Sequence, residues 1–474
     1  SAASGIAVQS TDSRRTNLPD ICSPSQLSAE LVLQLRKWCE QSQGDNVANS
    51  WLGLSQWAKS QPAIRESLVA ALRSFTPLDK SGRLSPTSIQ RLWPTPYVTS
   101  VSKLESYARC PFQHFASHAL QLSLRPKQEV RAEQVGRLYH EILEQFVNEL
   151  METGRTLREL SPAQVAASLS RSCELIVPRF ADAARLDAPV QRKLSWRSGH
   201  ELPSAIEAQK TGVAQTGLSP IAVEKQFGFG GADALPAIAL KLTGGRQVLI
   251  RGKIDRIDLL NLGDKTLATV FDYKRSIGKK LRLDEVYHGL ALQLLAYLLV
   301  IRDHGNKLAA TRIIPAGTFY LPLVAGLPRV DHPSDADDKK FNPQADLRPA
   351  GVFDFDWIDS LDPNYAEGSG TSVFRVRKNI KGELAYPNQS DAVPSGQLPL
   401  LLDHVRSKLT ALAEDWLSGD VSVRPAHLGK DLPCTRCNYR AVCRFEHATR
   451  QTNALARMNN TEVLTAIAKG AENE

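Results

Sequence analysis

Asp255, Asp272 and Lys274 are the residues whose types and spacing first suggest chemistry. Asp272 and Lys274 stand two apart in Thr269-Val-Phe-Asp-Tyr-Lys274, and alternate residues of a strand share one face. Asp255 lies just upstream, in Gly252-Lys-Ile-Asp-Arg-Ile-Asp258. Two carboxylates converging with a lysine is how a hydrolase holds a hard divalent cation beside an anionic substrate. The carboxylates ligate Mg²⁺ and the ammonium offsets charge on a scissile phosphate. Taken alone, an Asp-x-Lys strand is more simply a solvated face or an ion pair, so the surrounding chain has to decide.

The stretch from Gly252 to Ser276 reads as a β-hairpin. Val248 to Leu260 is one strand, Thr266 to Tyr273 is a second β-branched and aromatic run, and Gly263-Asp264 supplies the turn. Upstream, Glu129 to Leu150 has helical periodicity, with Leu138, Tyr139, Ile142, Leu143, Phe146, Val147 and Leu150 on one stripe. Gly136 and His140 are four apart on that helix and share a face, where the glycine is expected to leave room beside the imidazole. A lone helical His is more often solvated or a core residue than a ligand. Ile221 to Phe229 is a strand carrying Glu224. Leu283 to His304 reads as the most hydrophobic helix, and it carries Gln293 and Tyr297 four apart. Polar tips on such a helix need partners, which places them in a polar cavity.

The chain has 474 residues, a net charge of +8, 42% hydrophobic and 23% charged residues, ordinary values for a soluble globular protein. The mild basic bias permits a polyanionic partner without proving one. No apolar run reaches the ~18 residues of a membrane span, and the start lacks the charged and apolar blocks of a signal peptide. The first residue is not Met, so the chain is expected to be a piece of something longer. Residues 1–95 read as a small helical region after a polar start, with helices over Ser25 to Glu40, Asn46 to Ser60 and Ala63 to Phe75, and with Trp38, Trp51, Trp57 and Trp93 as core. Pro94 to Pro96 is a linker. Residues 96–447 form an α/β (α+β) unit that opens with a capping box, Ser102-Lys-Leu-Glu105. A further helix starts at Ser161-Pro162, Leu186 to Leu218 receives no assignment, and Thr311 to Leu323 reads as a strand pair kinked at Pro315-Ala-Gly317. Residues 325–349 are a loop, Leu398 to Leu417 is a helix, and 448–474 is a polar tail, helical from Thr461 to Lys469.

Seven cysteines, an odd number, argue against a disulfide framework. Cys434-x-x-Cys437-x5-Cys443 has the spacing of a metal or cluster site. Cys22, Cys39 and Cys173 read as ordinary thiols.

In chain order the motifs are Gly136-Arg-Leu-Tyr-His140, Gly252-Lys-Ile-Asp255-Arg-Ile-Asp258, Asp272-Tyr-Lys274 and Gln293-Leu-Leu-Ala-Tyr297. That succession resembles the PD-(D/E)XK nuclease superfamily in its RecB-type branch. Val101-Ser-Lys-Leu-Glu-Ser-Tyr-Ala-Arg-Cys-Pro-Phe112, Pro315-Ala-Gly-Thr-Phe-Tyr320 and the cysteines look like the AddB family, found in bacterial ATP-dependent helicase–nucleases. The resemblance covers about residues 95 to 447 and implies a restriction-endonuclease-like core, a mixed sheet flanked by helices. It implies His140, Asp255, Asp272 and the backbone carbonyl of Tyr273 as ligands of Mg²⁺ or Mn²⁺. Lys274 would position the attacking water, and Gln293 and Tyr297 would orient Lys274 or contact the DNA backbone. Glu224 would hold the lysine or water, or be a strand-face charge. Asp258 falls on the opposite face from Asp255 and is expected to pair with Arg256 rather than bind metal.

The resemblance further implies that Cys110 joins Cys434, Cys437 and Cys443 around a [4Fe–4S] cluster, a structural staple joining the two ends of the domain, with zinc as the alternative occupant. It implies an exonuclease that acts on single-stranded DNA, on the 5′-ended strand, in a heterodimer with an AddA-like helicase–nuclease. The setting would be double-strand break repair and recombination in the bacterial cytoplasm, with no membrane partner. The departure is upstream. Only some 95 residues precede the domain and no Gly-x4-Gly-Lys-Ser/Thr loop occurs, so ATP hydrolysis and Chi recognition cannot be argued, and a C-terminal fragment or truncated homologue is expected. Two other readings compete. One is a catalytically idle iron–sulfur scaffold that binds DNA for a helicase, which leaves the His, Asp, Asp, Lys set without a purpose. The other is a stand-alone RecB-like nuclease of the CRISPR-adaptation kind, which the chain's size and the Pro-Ala-Gly strand disfavour.

Overall fold

The computed structural model describes residues 49–73, 82–123, 130–275, 280–325, 347–362, 373–445 and 452–471, together with single positions between 23 and 34 and Tyr365. Ser276, most of 325–349, Cys22, Cys39, Trp38 and the Trp51 side chain lie outside the described residues. Contacts divide the chain into two units. The smaller comprises 1–82, 422–424 and 438–453, and contains the helices Asn49–Ser60 and Pro62–Arg73. Leu27, Leu31, Ala58, Ile64 and Leu68 are buried together there. Trp57, expected in the core, is 50% exposed.

The larger unit is built on a six-stranded mixed sheet. The order is β2 (Ser219–Phe227), β5 (Gly252–Asn261), β6 (Lys265–Lys274), β7 (Arg312–Pro322), β8 (Ala350–Asp354) and β9 (Ala392–Val393). A second sheet has three strands, β1 (Tyr97–Thr99), β4 (Gln247–Ile250) and β3 (Ile238–Lys241). β5 and β6 form the expected antiparallel hairpin. In its turn Asn261 Oδ1 accepts the Gly263 N–H at 2.8 Å, and Gly263 takes φ +94°, which glycine adopts without steric cost. β6 is buried from Thr266 to Tyr273, as a central strand covered on both faces must be.

The helix Gln293–His304 connects β6 to its parallel neighbour β7 and packs with the helices Gln397–Leu417 and Asn460–Ala471 over Ile257, Ala268 and Val270. The other face carries the helices Ala132–Glu152, Pro162–Ala183 and Ala188–Thr216 over Leu267, Phe271, Phe319 and Phe353. Every residue of the predicted stripe on Ala132–Glu152 is buried.

Several sequence expectations need correction. Val248 to Leu260 is not one strand. Val248 belongs to β4 in the small sheet, and Arg251 separates it from β5. Leu283 to His304 is two helices, Leu283–Tyr287 and Gln293–His304, broken where Gly289 takes φ +83°. Thr311 to Leu323 is a single strand, whose Pro315-Ala-Gly segment is a bulge against Ala268 and Thr269. The unassigned 186–218 is mostly the 29-residue helix Ala188–Thr216. Its buried side includes Ser198 and Gln209, which interrupt the apolar pattern on which periodicity depends. Ser102 is not an N-cap. Ser100 caps that helix, accepting the Lys103 N–H, and Glu105 is committed elsewhere. Residues 454–474, expected to be polar tail, belong to the larger unit, where Val463, Leu464 and Ile467 are buried.

Candidate active site

The site forms where β5 and β6 come together beneath the His140 helix, Ala132–Glu152. Asp255 Oδ2 accepts the Tyr273 N–H at 2.9 Å, which ties the two strands at the point of interest. His140 approaches from above. Its Nε2 lies 3.2 Å from the Tyr273 carbonyl oxygen, and its Nδ1 lies 3.5 Å from both Glu224 Oε1 and Asp255 Oδ2. Among the described residues, His140, Glu224 and Asp255 are the set of three metal-capable side chains whose ligand atoms lie within 4.8 Å of one another.

The electrostatics are those of crowded acid. Burial first, then the Asp272 carboxylate, pushes Asp255 up to about 7. Burial opposes a charge on His140, but Glu224, Asp255 and Asp272 outweigh it and raise the imidazole to about 9. Burial would raise Glu224, and His140 and Lys253 more than reverse it, so its carboxyl lies below the usual range. Glu224 has φ +50°, a left-handed conformation that costs a side-chain-bearing residue strain and recurs at functional sites. That backbone presents the carboxylate to His140 instead of leaving it as a plain strand-face charge.

Asp272 and Lys274 form an ion pair through Oδ2 and Nζ, so the bland reading of the Asp-x-Lys strand is also physically present. Lys274 Nζ stands 5.6 Å from the centre of the Tyr320 ring. Asp272 Oδ1 accepts from Gln293 Nε2 at 3.3 Å, and Gln293 Nε2 also donates to the Tyr297 hydroxyl at 2.7 Å. The two polar tips predicted to need partners therefore find each other and Asp272. Glu105 explains how Gln293 is aimed. Its Oε1 accepts the backbone N–H groups of Leu292 and Gln293 at 2.7 and 2.8 Å, so a carboxylate caps the N-terminus of that helix.

Asp258 stays out of the site. It makes a two-pronged pair with Arg256, both contacts at 2.6 Å, and Arg256 Nη1 donates to Gln209 at 2.8 Å. The two glycines of the motifs differ. A Cβ on Gly252 would meet the Phe227 ring at 2.7 Å, so the missing side chain lets that ring lie across the strand and buttress Tyr297, edge-on at 5.9 Å. A Cβ on Gly136 would meet nothing within 4 Å, which corrects the expectation that it makes room for His140.

A profile of the PD-(D/E)XK nuclease superfamily matches residues 98–444, most of the chain and every residue of the site just described. The chain belongs to the PD-(D/E)XK nuclease superfamily. Among curated proteins it is similar to the B subunit of the ATP-dependent helicase/deoxyribonuclease of Symbiobacterium thermophilum, 32% identical over 435 residues, 90% of this chain and 36% of the relative. The protein of the same name from Lysinibacillus sphaericus is 28% identical over 459 residues, 96% of this chain and 39% of the relative. That from Anoxybacillus flavithermus is 28% identical over 422 residues, 88% and 36%. The chain thus spans a little over a third of the length of the curated relatives it matches.

Within this PD-(D/E)XK site, sequence reasoning missed Lys253. Its Nζ lies 2.6 Å from Glu224 Oε2, so a second lysine sits beside the carboxylates. The signal was available, since Lys253 and Asp255 are alternate residues of one strand. Glu105 carried no such signal, because its partners lie nearly two hundred residues downstream.

The cysteines are placed as follows. Cys110 is buried between the helix Val101–Arg109 and the short helix Pro111–His114. Cys434 lies in the turn Pro433–Arg436, and the Cys437 N–H donates to its carbonyl at 3.4 Å. Cys443 ends the short helix Arg440–Cys443 and falls in the smaller unit. Among the described residues Cys110, Cys434 and Cys437 do not form a second close ligand group. Cys173 is a buried thiol pushed up to about 11, chiefly by burial. No helix among the described residues is long and apolar enough to cross a membrane.

Proposed function

We propose that this chain is the nuclease module of an AddAB-type helicase–nuclease, a metal-dependent deoxyribonuclease. It would hydrolyse phosphodiesters of single-stranded DNA on the 5′-ended strand, together with an AddA-like partner, in break repair and recombination in the bacterial cytoplasm. The observation that carries the reading is the convergence of His140, Glu224 and Asp255 on one another, with the Tyr273 carbonyl at the other ring nitrogen of His140 and the Asp272–Lys274 pair on the adjoining strand. Carboxylates, a backbone carbonyl and an imidazole fit Mg²⁺ or Mn²⁺ as a donor set, and a cation would offset both the burial and, after it, the Asp272 repulsion that raise Asp255.

His140, Asp255, Asp272 and the Tyr273 carbonyl would hold the ion, and Glu224 is placed to join them. When bound, it would polarise a phosphoryl oxygen and make a bound water more acidic. His140 would give up its proton to serve as a ligand. Lys274, steered by Asp272, would hold the attacking water and offset the charge gathering on phosphorus. Gln293, fixed by Glu105 and Tyr297, would keep Asp272 from turning away. Cys110, at a buried helix junction, and Cys434 and Cys437, from one turn, would with Cys443 be the thiolates that hold a [4Fe–4S] cluster.

End-labelled single-stranded DNA tests the enzyme. Cleavage is expected with Mg²⁺ or Mn²⁺, silenced by EDTA, with small products released from the 5′ end. Tight DNA binding with no cleavage under any divalent ion would instead establish the scaffold reading. Protein purified without oxygen is expected to be brown and to contain iron and acid-labile sulfide. Colourless protein with stoichiometric zinc would replace the cluster by a zinc site.

A further inference from the structure

A basic hollow beyond β7 takes no part in this chemistry. It is built by the segment 373–391. Asn379 Oδ1 accepts the N–H groups of Lys381 and Glu383 at 2.8 and 2.9 Å, and the Ala385 N–H donates to the Arg377 carbonyl at 2.8 Å. The result is a tight hairpin with Ile380 almost wholly exposed at its tip. Residues 375–389 carry Arg375, Arg377, Lys378 and Lys381 against one acid, Glu383. Lys378 is taken up by Asp359 at 2.5 Å.

Arg375 and Arg377 join Arg348, Tyr386 and Gln389 around a cavity of about 390 Å³, and no carboxylate side chain lines it among the described residues. Arg375 Nη1 is buried and has no hydrogen-bond partner among the described residues. Tyr386 stands in the left-handed region at φ +51° and is 64% exposed, an uncommon backbone for an aromatic residue, left with its ring in solvent. Arg375 and Gln389 also line a neighbouring hollow of about 250 Å³ with Lys280, Arg282 and Gly351. The acids there are engaged. Asp284 pairs with Arg282 at 2.8 Å and Arg457 at 3.3 Å, and Asp391 accepts the Arg375 backbone N–H at 3.0 Å.

The register fixes where this lies. Phe271, next to Asp272, pairs with Phe319, and Phe319 pairs with Gly351. Two strand spacings, about 10 Å, therefore separate the Asp272 strand from Gly351 in the wall of the neighbouring hollow, and that hollow shares Arg375 and Gln389 with the cavity.

We propose that this cavity is a second subsite, which binds the phosphodiester backbone of single-stranded DNA through Arg375, Arg377 and Arg348 and stacks a base on Tyr386. The inference rests on the nuclease reading and extends it by a few nucleotides from the scissile bond. Arginine forks match phosphate oxygens, and exposed aromatic rings beside them are how single strands are held without sequence preference.

The test is anisotropy of a labelled oligothymidine on the full chain in EDTA, where binding is read without cleavage. Arg375→Gln/Arg377→Gln is expected to weaken binding about tenfold and to flatten the salt slope by about 1.4, the share of two phosphate contacts on a single strand. Tyr386→Leu is expected to weaken binding about tenfold with the slope unchanged. Arg377→Gln alone, at an exposed position, serves if the double variant melts early. With metal present, KM for long single strands should rise while kcat holds, and a dinucleotide too short to reach the cavity should be cut as before. Unchanged affinity and slope in folded variants would overturn the subsite, as would inorganic phosphate competing as well as the oligonucleotide does. Should the wild type bind DNA through these residues yet cut nothing, the nuclease reading fails and the subsite stands. Should it cut normally while the variants bind normally, the reverse holds.

Discussion

Lys274→Ala is expected to lower kcat on single-stranded DNA by about 10²- to 10³-fold, the usual effect of removing a donor aimed at developing negative charge. Asp272→Ala should fall to background, because it removes both a candidate ligand and the partner that steers Lys274. The two variants should part company in stability. Asp272 is buried and repels Asp255, so its loss relieves like charge and leaves the melting temperature unchanged or higher. Lys274→Ala strips Asp272 of its counter-charge and should lower the melting temperature. Gln293→Ala should cost less activity than either, since it only braces Asp272. Initial rates with saturating Mn²⁺ and thermal melts on the same preparations give both readouts. Wild-type cutting by purified Asp272→Ala or Lys274→Ala would sink the site assignment, whatever the melts show.

Asp258→Ala should do the opposite. It is expected to lose about 3–5 kcal/mol of stability, because Arg256 would remain charged inside the protein without its carboxylate, left with the Gln209 amide and the Phe271 ring. Activity per folded molecule should be retained, since both carboxylate oxygens of Asp258 are taken by Arg256 and neither meets His140. Replacing both partners, as in Arg256→Met/Asp258→Leu, should recover much of the loss, because a buried pair exchanged for apolar groups no longer leaves one charge stranded. Urea unfolding midpoints and rates at a temperature below all the transitions separate the two effects. Full stability in Asp258→Ala, or lost metal affinity in a folded variant, would place Asp258 in the site after all.

Much of this architecture was legible from local spacing. A strand has period two, so Asp272 and Lys274 had to be neighbours in space, and so did Arg256 and Asp258. Four residues span a helical turn, so Gln293 and Tyr297 had to touch, and an apolar helix made it plain that they needed company. The stripe on the His140 helix gave its buried face, and the Asn261 to Asp264 turn gave the hairpin. Where local pattern misled, competing physics is identifiable. Ser198 and Gln209 broke the periodicity of a long helix because each occupies a buried position as a polar group. Gly289 broke a helix that hydrophobicity alone ran through. Glu105 matched a capping box in sequence but caps a different helix in space.

What the amino-acid sequence determined by itself was the inventory of the site and the order in which the chain delivers it. Residue types, and intervals of two along a strand or four along a helix, are fixed covalently and survive into any fold that keeps the elements. What only the tertiary structure decided was who meets whom across long separations. His140 finds Glu224 and Asp255, Lys253 finds Glu224, Gln293 finds Asp272, and Arg375 comes to line a hollow with Gly351 of β8. Those meetings depend on strand register and on which helix covers which face. Register and coverage are set by burial summed over the whole core, and no window of the sequence contains that sum.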